Sequence, residues 1–293
     1  MSRCTKITLF LLVLATFSIS SVKAQNSISL VINEFMASNS NSIQDPQGEF
    51  DDWIEIYNFG TDAIDTGGMY LTDDLSDTTK WQIPADNPAA TTIPAGGFLL
   101  IWADNNTSDA GLHTNFKLDA NGEQIGLFDK DGQTLIDSVI YPGQITDISY
   151  GRYPDAGEDW RFFTNPSPGD QNRGGYMGEV ADTKFSHSHG FYDEPFYVTI
   201  ATDTEDARIY YTLDGSEPYN TSGRSQGGLV YSEPILINNT TCLRAVAIKP
   251  GWMPSNIDTQ TYIFLDASSE DQTKMCSKAT VLVAVGSAPR RLT

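Results

Sequence analysis

Two short patterns in this sequence contain the residue types that catalyse hydrolysis. Residues 223–227, Gly-Arg-Ser-Gln-Gly, have the spacing of a nucleophile elbow, in which Ser225 would be the attacking group. That chemistry needs a strand before the serine and a helix after it, whereas polar residues and a further glycine flank this one. Asp214 and Glu217 have the types of a glycosidase acid pair, but they lie in an Asp-Gly turn, where aspartate commonly bonds to its own backbone. We expect no catalytic residue in either pattern.

Histidine and carboxylate residues could instead bind a metal ion. His187 and His189, with Asp193 as a third ligand, have the residue types of a zinc site. No second His-rich or Cys-rich element accompanies them, and two histidines alone do not complete a site. A different cation site would form if strands brought three acids together, namely Glu34, Asp52 and Glu55. Acids beside strands and turns more often bond to nearby backbone groups, so we predict no metal and no cofactor.

The charge of the chain excludes one class of partner. The sequence has 18 Lys and Arg residues against 38 Asp and Glu residues, which gives a formal net charge of −20. Such a chain repels phosphate backbones, so nucleic acid is not an expected partner. The acids either keep the surface soluble or bind divalent cations, and solubility is the commoner use.

The first residues have the features of a secretory signal peptide. Arg3 and Lys6 precede an apolar run over residues 7–17, and small residues lead to Ala24, after which we expect cleavage. The run of 11 residues is too short for a membrane-spanning helix, which needs roughly 20. No other stretch is long and apolar enough to span a membrane. We therefore predict a protein that is secreted or lies at the cell surface.

The rest of the chain has the pattern of an all-β protein. Apolar runs of four to eight residues alternate with Gly, Pro, Asn and Asp clusters, and no long window has helical spacing. Residues 97–104 are apolar on both alternating faces, which predicts a buried central strand. Ile54 and Ile56 are expected to face one side of their strand and Trp53 the other. Residues 196–200 predict a strand with one face in a core.

A hairpin is predicted over residues 126–141. Asp131 and Gly132 separate two apolar runs and can supply the positive backbone dihedrals of a tight turn. The same turn suggests a calcium loop, but the template needs acids at the positions of Leu127 and Ser138. Both positions fail, so the calcium loop is excluded.

Composition divides the chain at two places. Residues 165–175 contain two prolines and three glycines among polar residues, which is the best domain boundary. Residues 25–266 carry 11 basic and 36 acidic residues, whereas residues 267–293 carry 4 and 2. Cys276 lies in that dissimilar tail, so no disulfide framework is predicted, and Cys242 is interpreted as a small apolar residue in a core.

The first folded block resembles the lamin-tail domain family from about residue 28 to residue 172. The matching pieces occur in family order and are INEFMASN (32–39), DWIEIYN (52–58), MYLTDD (69–74), TIPAGGFLLIWAD (92–104) and NPSPGDQN (165–172). The resemblance implies an immunoglobulin-like β-sandwich, used in exported bacterial proteins as an accessory or surface module. It implies no catalytic residues.

The second block resembles the C-terminal domain of chitobiases and β-hexosaminidases. Its marks are IYYTLDGSEP (209–218), VYSEPI (230–235), RAVAIKPGWMPS (244–255) and YIF (262–264). The resemblance implies a second, smaller immunoglobulin-like sandwich that is an appendage of those enzymes, so their catalytic residues have no counterpart here. Trp252 would either stack on a sugar ring or pack against the sandwich, and packing is the commoner use of tryptophan.

These observations predict two immunoglobulin-like β-sandwich domains in tandem. The predicted segments are a signal peptide (1–24), a lamin-tail-like sandwich (25–173), a linker with a lead-in segment (174–190), a chitobiase-type sandwich (191–266) and an irregular, truncated or frameshifted tail (267–293).

The expected function is that of an exported, non-catalytic binding or structural module. Adhesion, glycan contact and the spacing of other domains are all consistent with it, with a glycan or a protein as the surface ligand. The sequence leaves the oligomeric state open. The alternative is an accessory part of a larger enzyme, because these two domains in tandem resemble the front of bacterial proteins with a spore-coat-H-type kinase-like domain.

Overall fold

A computed structural model describes residues 28–219 and 227–265 of the chain. The predicted signal peptide, Ser225 and the predicted tail lie outside the described residues. Within them nearly all of the regular secondary structure is β-strand, with a single four-residue helix, which confirms the predicted all-β fold. The elements are β1 (Leu30–Met36), β2 (Trp53–Asn58), β3 (Ile64–Asp65), β4 (Tyr70–Thr72), β5 (Trp81–Gln82), α1 (Pro88–Thr91), β6 (Thr92–Ile93), β7 (Phe98–Trp102), β8 (Gln124–Phe128), β9 (Leu135–Ile140), β10 (Ser149–Arg152), β11 (Trp160–Phe163), β12 (Lys184–Phe185), β13 (Gly190–Tyr192), β14 (Phe196–Val198), β15 (Ile200–Ala201), β16 (Arg208–Thr212), β17 (Leu229–Val230), β18 (Ile235–Ile237), β19 (Thr241–Ile248) and β20 (Asp258–Phe264). None of the helical residues in these ranges forms a helix long and apolar enough to cross a membrane.

The first domain packs a five-stranded sheet, in the order β11-β10-β1-β2-β7, against a four-stranded sheet, in the order β5-β4-β8-β9. Side chains of both sheets fill one core, among them Ile54 and Ile56 of β2 and Leu127 of β8, all fully buried. Trp53 belongs to a separate cluster with Met36 and Trp102 on the other face of the five-stranded sheet. The predicted division of this strand between two faces is therefore confirmed.

A bulge in β1 joins the two sheets of the first domain. The register with β2 shifts between Ile32 and Glu34, so Asn33 has no partner in β2. On the other side of β1 the register with β10 includes Glu34 and Phe35 and does not extend to Ile32. Asp137 of β9 accepts a hydrogen bond from Ile32 N at 2.8 Å, and Arg152 Nε donates to Ile32 O at 2.9 Å. Arg152 also reaches both oxygens of Asp137 at 3.0 Å. This ion pair closes the bulge and ties β9 to β1.

The hairpin predicted from the Asp-Gly turn is present between β8 and β9. Asp129 N donates to Thr134 O at 2.8 Å, and Gly132 has a φ of +67°, which glycine adopts without strain. Asp131 Oδ1 accepts hydrogen bonds from Gln133 N and Thr134 N, both at 2.8 Å. The turn acid is therefore occupied by its own backbone, as expected of an Asx turn.

Residues 97–104 contain a strand, as predicted, but the prediction that this strand is central in its sheet is wrong. β7 is the edge strand of its sheet, paired along its length with β2. Its first three residues are half-buried, and Ile101 and Trp102 are buried. The segment after it covers the open edge, since Thr114 N donates to Trp102 O at 2.8 Å. Apolar residues on both faces therefore reflect cover from loops and not a central place in the sheet.

The second domain is built on a five-stranded sheet in the order β13-β20-β19-β16-β17, with two pairs, β14-β18 and β12-β15. The alternation predicted over residues 196–200 is confirmed, because Val198 and Ile200 are buried and Tyr197 is exposed. The strand is divided, however: β14 pairs with β18 and β15 pairs with β12. The core contains Val198, Leu243 and Tyr262, each fully buried, and shares no residue with the core of the first domain.

The segment between the domains is hydrogen-bonded on both sides. Tyr176 exchanges two backbone hydrogen bonds of 2.8 Å with Phe162 of β11. Two residues later the chain pairs with a turn of the second domain, because Met253 N donates to Gly178 O at 2.8 Å. A β-carbon on Gly178 would lie 2.7 Å from the Trp252 ring, so only glycine allows this contact. Trp252 therefore packs against the chain, as the commoner interpretation predicted.

We expect trypsin to make its first cut within the described residues after Arg173. Arg173 is exposed, between the buried Asn172 and the paired Tyr176. The variant Arg173→Gln should delay the appearance of two fragments, measured by mass spectrometry of a timed digest. Earlier cleavage at Arg152 or Arg161, which lie in paired strands, would contradict this placement of the exposed segment.

Candidate functional site

Two carboxyl groups lie side by side in the five-stranded sheet of the first domain. Glu34 of β1 and Glu55 of β2 are directly opposite each other, and both side chains are fully buried. They lie on the sheet face of Trp53, away from the main core. The segment 165–172 lies over them and supplies hydrogen-bond donors. Paired and perturbed acids are typical of active sites, so this cluster is the first candidate.

Glu34 is held by two serine residues. Ser149 Oγ donates to Glu34 Oε1 in a short hydrogen bond, and Ser167 donates from its backbone N and its Oγ, each at 3.2 Å. Burial raises the pKa of Glu34, and these hydrogen bonds lower it by a smaller amount. The residue therefore connects β10 and the covering segment to β1.

Of the two carboxyl groups, that of Glu55 has the more strongly raised pKa. Gly169 N donates to Glu55 Oε2 at 2.6 Å, and Asn33 Nδ2 donates to Oε1 at 3.2 Å. Burial raises the pKa of Glu55 to about 8, and the neighbouring charge of Glu34 acts in the same direction. Glu55 thus keeps a proton at neutral pH.

The covering segment is fixed by further polar contacts. Asn172 Nδ2 donates to Arg152 O at 2.9 Å, and Asn172 N donates to Asp155 Oδ1 at 3.0 Å. The close approach needs Gly151, because a β-carbon there would lie 2.8 Å from Asn172 Nδ2. Glu34 and Glu55 are closed to solvent beneath the covering segment, and their hydrogen bonds hold that segment on the sheet. A substrate would have no access to Glu55.

The alternative cation site of Glu34, Asp52 and Glu55 is not assembled. The strands bring Glu34 and Glu55 together, but Asp52 precedes Trp53 and faces the side of Ile54. Asp52 Oδ1 accepts a hydrogen bond from Asn39 N at 3.0 Å. Burial raises its pKa to about 6.

The other candidate residues named from sequence lie apart from one another. His187 Nδ1 is 2.9 Å from Ser186 Oγ, and its ring packs on Phe196 with centroids 4.6 Å apart. The described residues do not bring His187, His189 and Asp193 together as a set of metal ligands. Asp214 Oδ1 accepts from Ser216 N at 3.0 Å, which is the predicted turn contact.

A second cluster lies in loops of the first domain. Asp45, Asp109 and His113 each place one potential ligand atom within 4.8 Å of the others. Asp45 follows β1, and the other two lie in the segment after β7. His113 is 3% exposed, and its Nδ1 lies 2.9 Å from Asp104 Oδ2.

Sequence reasoning missed this cluster because its members are distant in the chain. Asp45 comes from a turn before β2, whereas Asp109 and His113 come from the loop that covers the edge of β7. One signal was present: His113 is the single histidine before residue 187. A lone histidine does not reveal which acids surround it, because the pairing of β2 with β7 decides that.

A shallow depression lies on the four-stranded sheet. Its volume is about 680 Å³, and its lining includes Asp73, Lys80, Glu123, Ile140 and Tyr141. Lys80 Nζ lies 2.5 Å from Asp73 Oδ1, so these charges pair with each other. Burial raises the pKa of Glu123, and Tyr141 Oη donates to Glu123 Oε2 at 3.4 Å. This lining suits contact with a polar ligand.

Comparison with known proteins agrees with the two sandwiches. Residues 23–143 match the Lamin Tail Domain, and residues 187–261 match the chitobiase/beta-hexosaminidase C-terminal domain. The first match ends before β10, β11 and the covering segment, which complete that sandwich in the structure. No curated protein and no solved structure gives a significant match. The chain therefore contains a lamin tail domain followed by a chitobiase/hexosaminidase C-terminal domain, two immunoglobulin-like β-sandwiches in tandem.

Proposed function

We propose that this protein is an exported, non-catalytic module that binds or positions other molecules at the cell exterior. The observation that carries the proposal is the burial of two adjacent carboxyl groups whose pKa values are both raised. Glu34 and Glu55 would be the natural acid and base of a hydrolase, yet both are fully buried beneath residues 165–172. A catalytic carboxyl must contact its substrate, whereas these two bond to the protein itself.

The surface of the protein supports a binding role. The net charge of −20 favours neutral or basic partners over polyanions. The depression beside Asp73 offers carboxylates, amides and the exposed Ile140 on one sheet. In the second domain Trp252 is used for packing, so the exposed aromatics available to stack on a ligand are Phe191 and Tyr197.

The test is a turnover assay on the purified full chain with chromogenic glycoside and ester substrates, together with sedimentation on insoluble polysaccharides. We expect no turnover above buffer, and Glu55→Gln and Ser225→Ala should leave that result unchanged. Turnover that disappears in either variant would overturn the proposal. Release of soluble sugar from the sedimented polysaccharide would also do so.

An accessory role within a larger enzyme is the second candidate. Both matches are to domains and not to a whole protein, and the chitobiase-type domain is named for enzymes that carry it at their C-terminal end. In that case the same two sandwiches would position a kinase-like domain of the spore-coat-H type. Translation of the genomic sequence downstream in all frames tests this, and absence of any such coding region would contradict it.

A further inference from the structure

The loop cluster of the first domain contains a carboxylate that the protein leaves unsatisfied. Asp45 is 6% exposed. Its Oδ1 accepts hydrogen bonds from Gln47 N at 2.9 Å and from Glu49 N at 2.7 Å. Its Oδ2 is buried and has no hydrogen-bond partner among the described residues. A buried carboxylate oxygen without a partner is costly, so this atom calls for a donor or a cation that the chain does not provide.

His113 is oriented as metal-binding histidines are. Its Nδ1 lies 2.9 Å from Asp104 Oδ2, and this contact fixes the ring with Nε2 on the opposite edge. Nε2 makes a hydrogen-bond contact of 3.3 Å with Ala110 O, and a metal ion bound to Nε2 would replace it. Gly111 leaves space at this point, because a β-carbon there would lie 3.2 Å from Nε2.

Asp109 completes the set from the same loop. It is half-buried, and Asn106 Nδ2 donates to its Oδ2 at 2.7 Å. One ligand atom each from Asp45, Asp109 and His113 lies within 4.8 Å of the other two. A modest closing of the two loops would bring these atoms to the separations found around a small cation.

From this geometry we propose that Asp45, Asp109 and His113 bind a divalent transition-metal ion, with Zn²⁺ as the best fit. Zn²⁺ accepts imidazole nitrogen and carboxylate oxygen as ligands, and it can take three protein ligands with water in a fourth position. Calcium prefers six to eight oxygen ligands and does not use imidazole. Asp104 orients His113 and does not contact the metal.

The surrounding charges favour a cation at this place. Burial raises the pKa of Asp51, and the charges of Asp104, Asp45 and Glu49 raise it further. Lys117 acts in the opposite direction with a smaller effect. A metal ion would offset this repulsion and join the Asp45 turn to the loop over β7.

The metal would hold these loops in place above a cluster of apolar side chains. Ile43 packs against the cluster of Met36, Trp53 and Trp102, and Trp102 N donates to Leu112 O at 2.8 Å. An ion that binds the folded state and not the unfolded chain raises the stability of the first domain. The site is therefore structural in its effect.

The test is metal binding by the purified, chelator-treated full chain, measured by isothermal titration with ZnCl₂ and with CaCl₂. We expect one Zn²⁺ per chain and no comparable binding of Ca²⁺. Asp109→Asn and Asp45→Asn should lose measurable Zn²⁺ binding. Asp104→Asn should weaken binding by roughly 10- to 100-fold, since it disturbs only the orientation of His113.

Matched controls separate this site from other ligands. The exposed Asp86→Asn variant and the double variant His187→Ala/His189→Ala should keep wild-type affinity. Co²⁺ loaded into the site should give visible bands without the thiolate charge-transfer bands that cysteine would produce. Asp109 is half-buried, so Asp109→Asn remains informative if Asp45→Asn does not fold.

Any of three results would overturn the proposal. One is a wild-type chain that binds no Zn²⁺ at micromolar concentration, in which case His113 only makes hydrogen bonds within the protein. The others are unchanged affinity in Asp109→Asn and thiolate bands with Co²⁺, either of which would place the metal elsewhere.

Discussion

The first domain should lose about 2–3 kcal/mol of unfolding free energy between pH 6 and pH 9 through Glu55 alone. The pKa of this residue is about 8 in the folded protein against an ordinary value of 4.5. Because the folded state holds the proton more tightly, the stabilisation is complete below pH 4.5 and disappears as the pH rises through 8. Urea unfolding at each pH, followed by tryptophan fluorescence, measures it, since four of the five tryptophans lie in the first domain.

The variant Glu55→Gln is the control for this prediction. Its amide stays neutral at every pH, so its stability relative to the wild type should improve by the same 2–3 kcal/mol between pH 6 and pH 9. A matched variant, Asp86→Asn, changes an exposed acid and should follow the wild-type profile. A pH-independent difference between Glu55→Gln and the wild type would show that Glu55 is ionised throughout.

Trp53→Ala should cost about 3–5 kcal/mol of unfolding free energy. Trp53 is fully buried against Met36 and Trp102, and its removal leaves a large cavity under the Asp45 loop. The loss should appear in the unfolding of the first domain alone, because the two domain cores share no residue. Differential scanning calorimetry, which follows both domains, measures it.

The variant Trp53→Phe distinguishes the contribution of ring packing to stability from that of the indole nitrogen. Trp53 Nε1 is buried without a hydrogen-bond partner among the described residues, so its removal forfeits no contact there. We expect a cost under about 2 kcal/mol, well below that of Trp53→Ala. Equal costs for the two variants would show that the nitrogen, and not the ring volume, stabilises this cluster.

Much of the fold could be predicted because local patterns decide it. The alternation of Ile54 and Ile56 against Trp53 assigns both faces of β2, and Asp131 with Gly132 defines a hairpin turn. Such features depend on residues that are neighbours in the sequence. The edge position of β7 did not follow, since loop cover and a central position produce the same apolar pattern.

The site was less predictable because it depends on contacts between distant residues. Glu34 and Glu55 were named together from sequence, and the pairing of β1 with β2 brings them together. Nothing local indicated that Ser167 and Gly169 would return to cover them. Asp45 and the loop after β7 meet for the same reason, through the arrangement of the whole sheet.

Solvent access to the Glu55 carboxyl tests the central claim. The claim is that Glu34 and Glu55, whose pKa values are raised by burial, close a sandwich and do not catalyse. The measurement is a pH titration of the Glu55 side-chain carboxyl carbon by NMR, with a soluble paramagnetic chelate present. We expect a midpoint at about pH 8 and no broadening by the chelate, because the residue is fully buried beneath residues 165–172. A midpoint near 4.5 with strong broadening would contradict the account, since it would place Glu55 where a substrate could reach it.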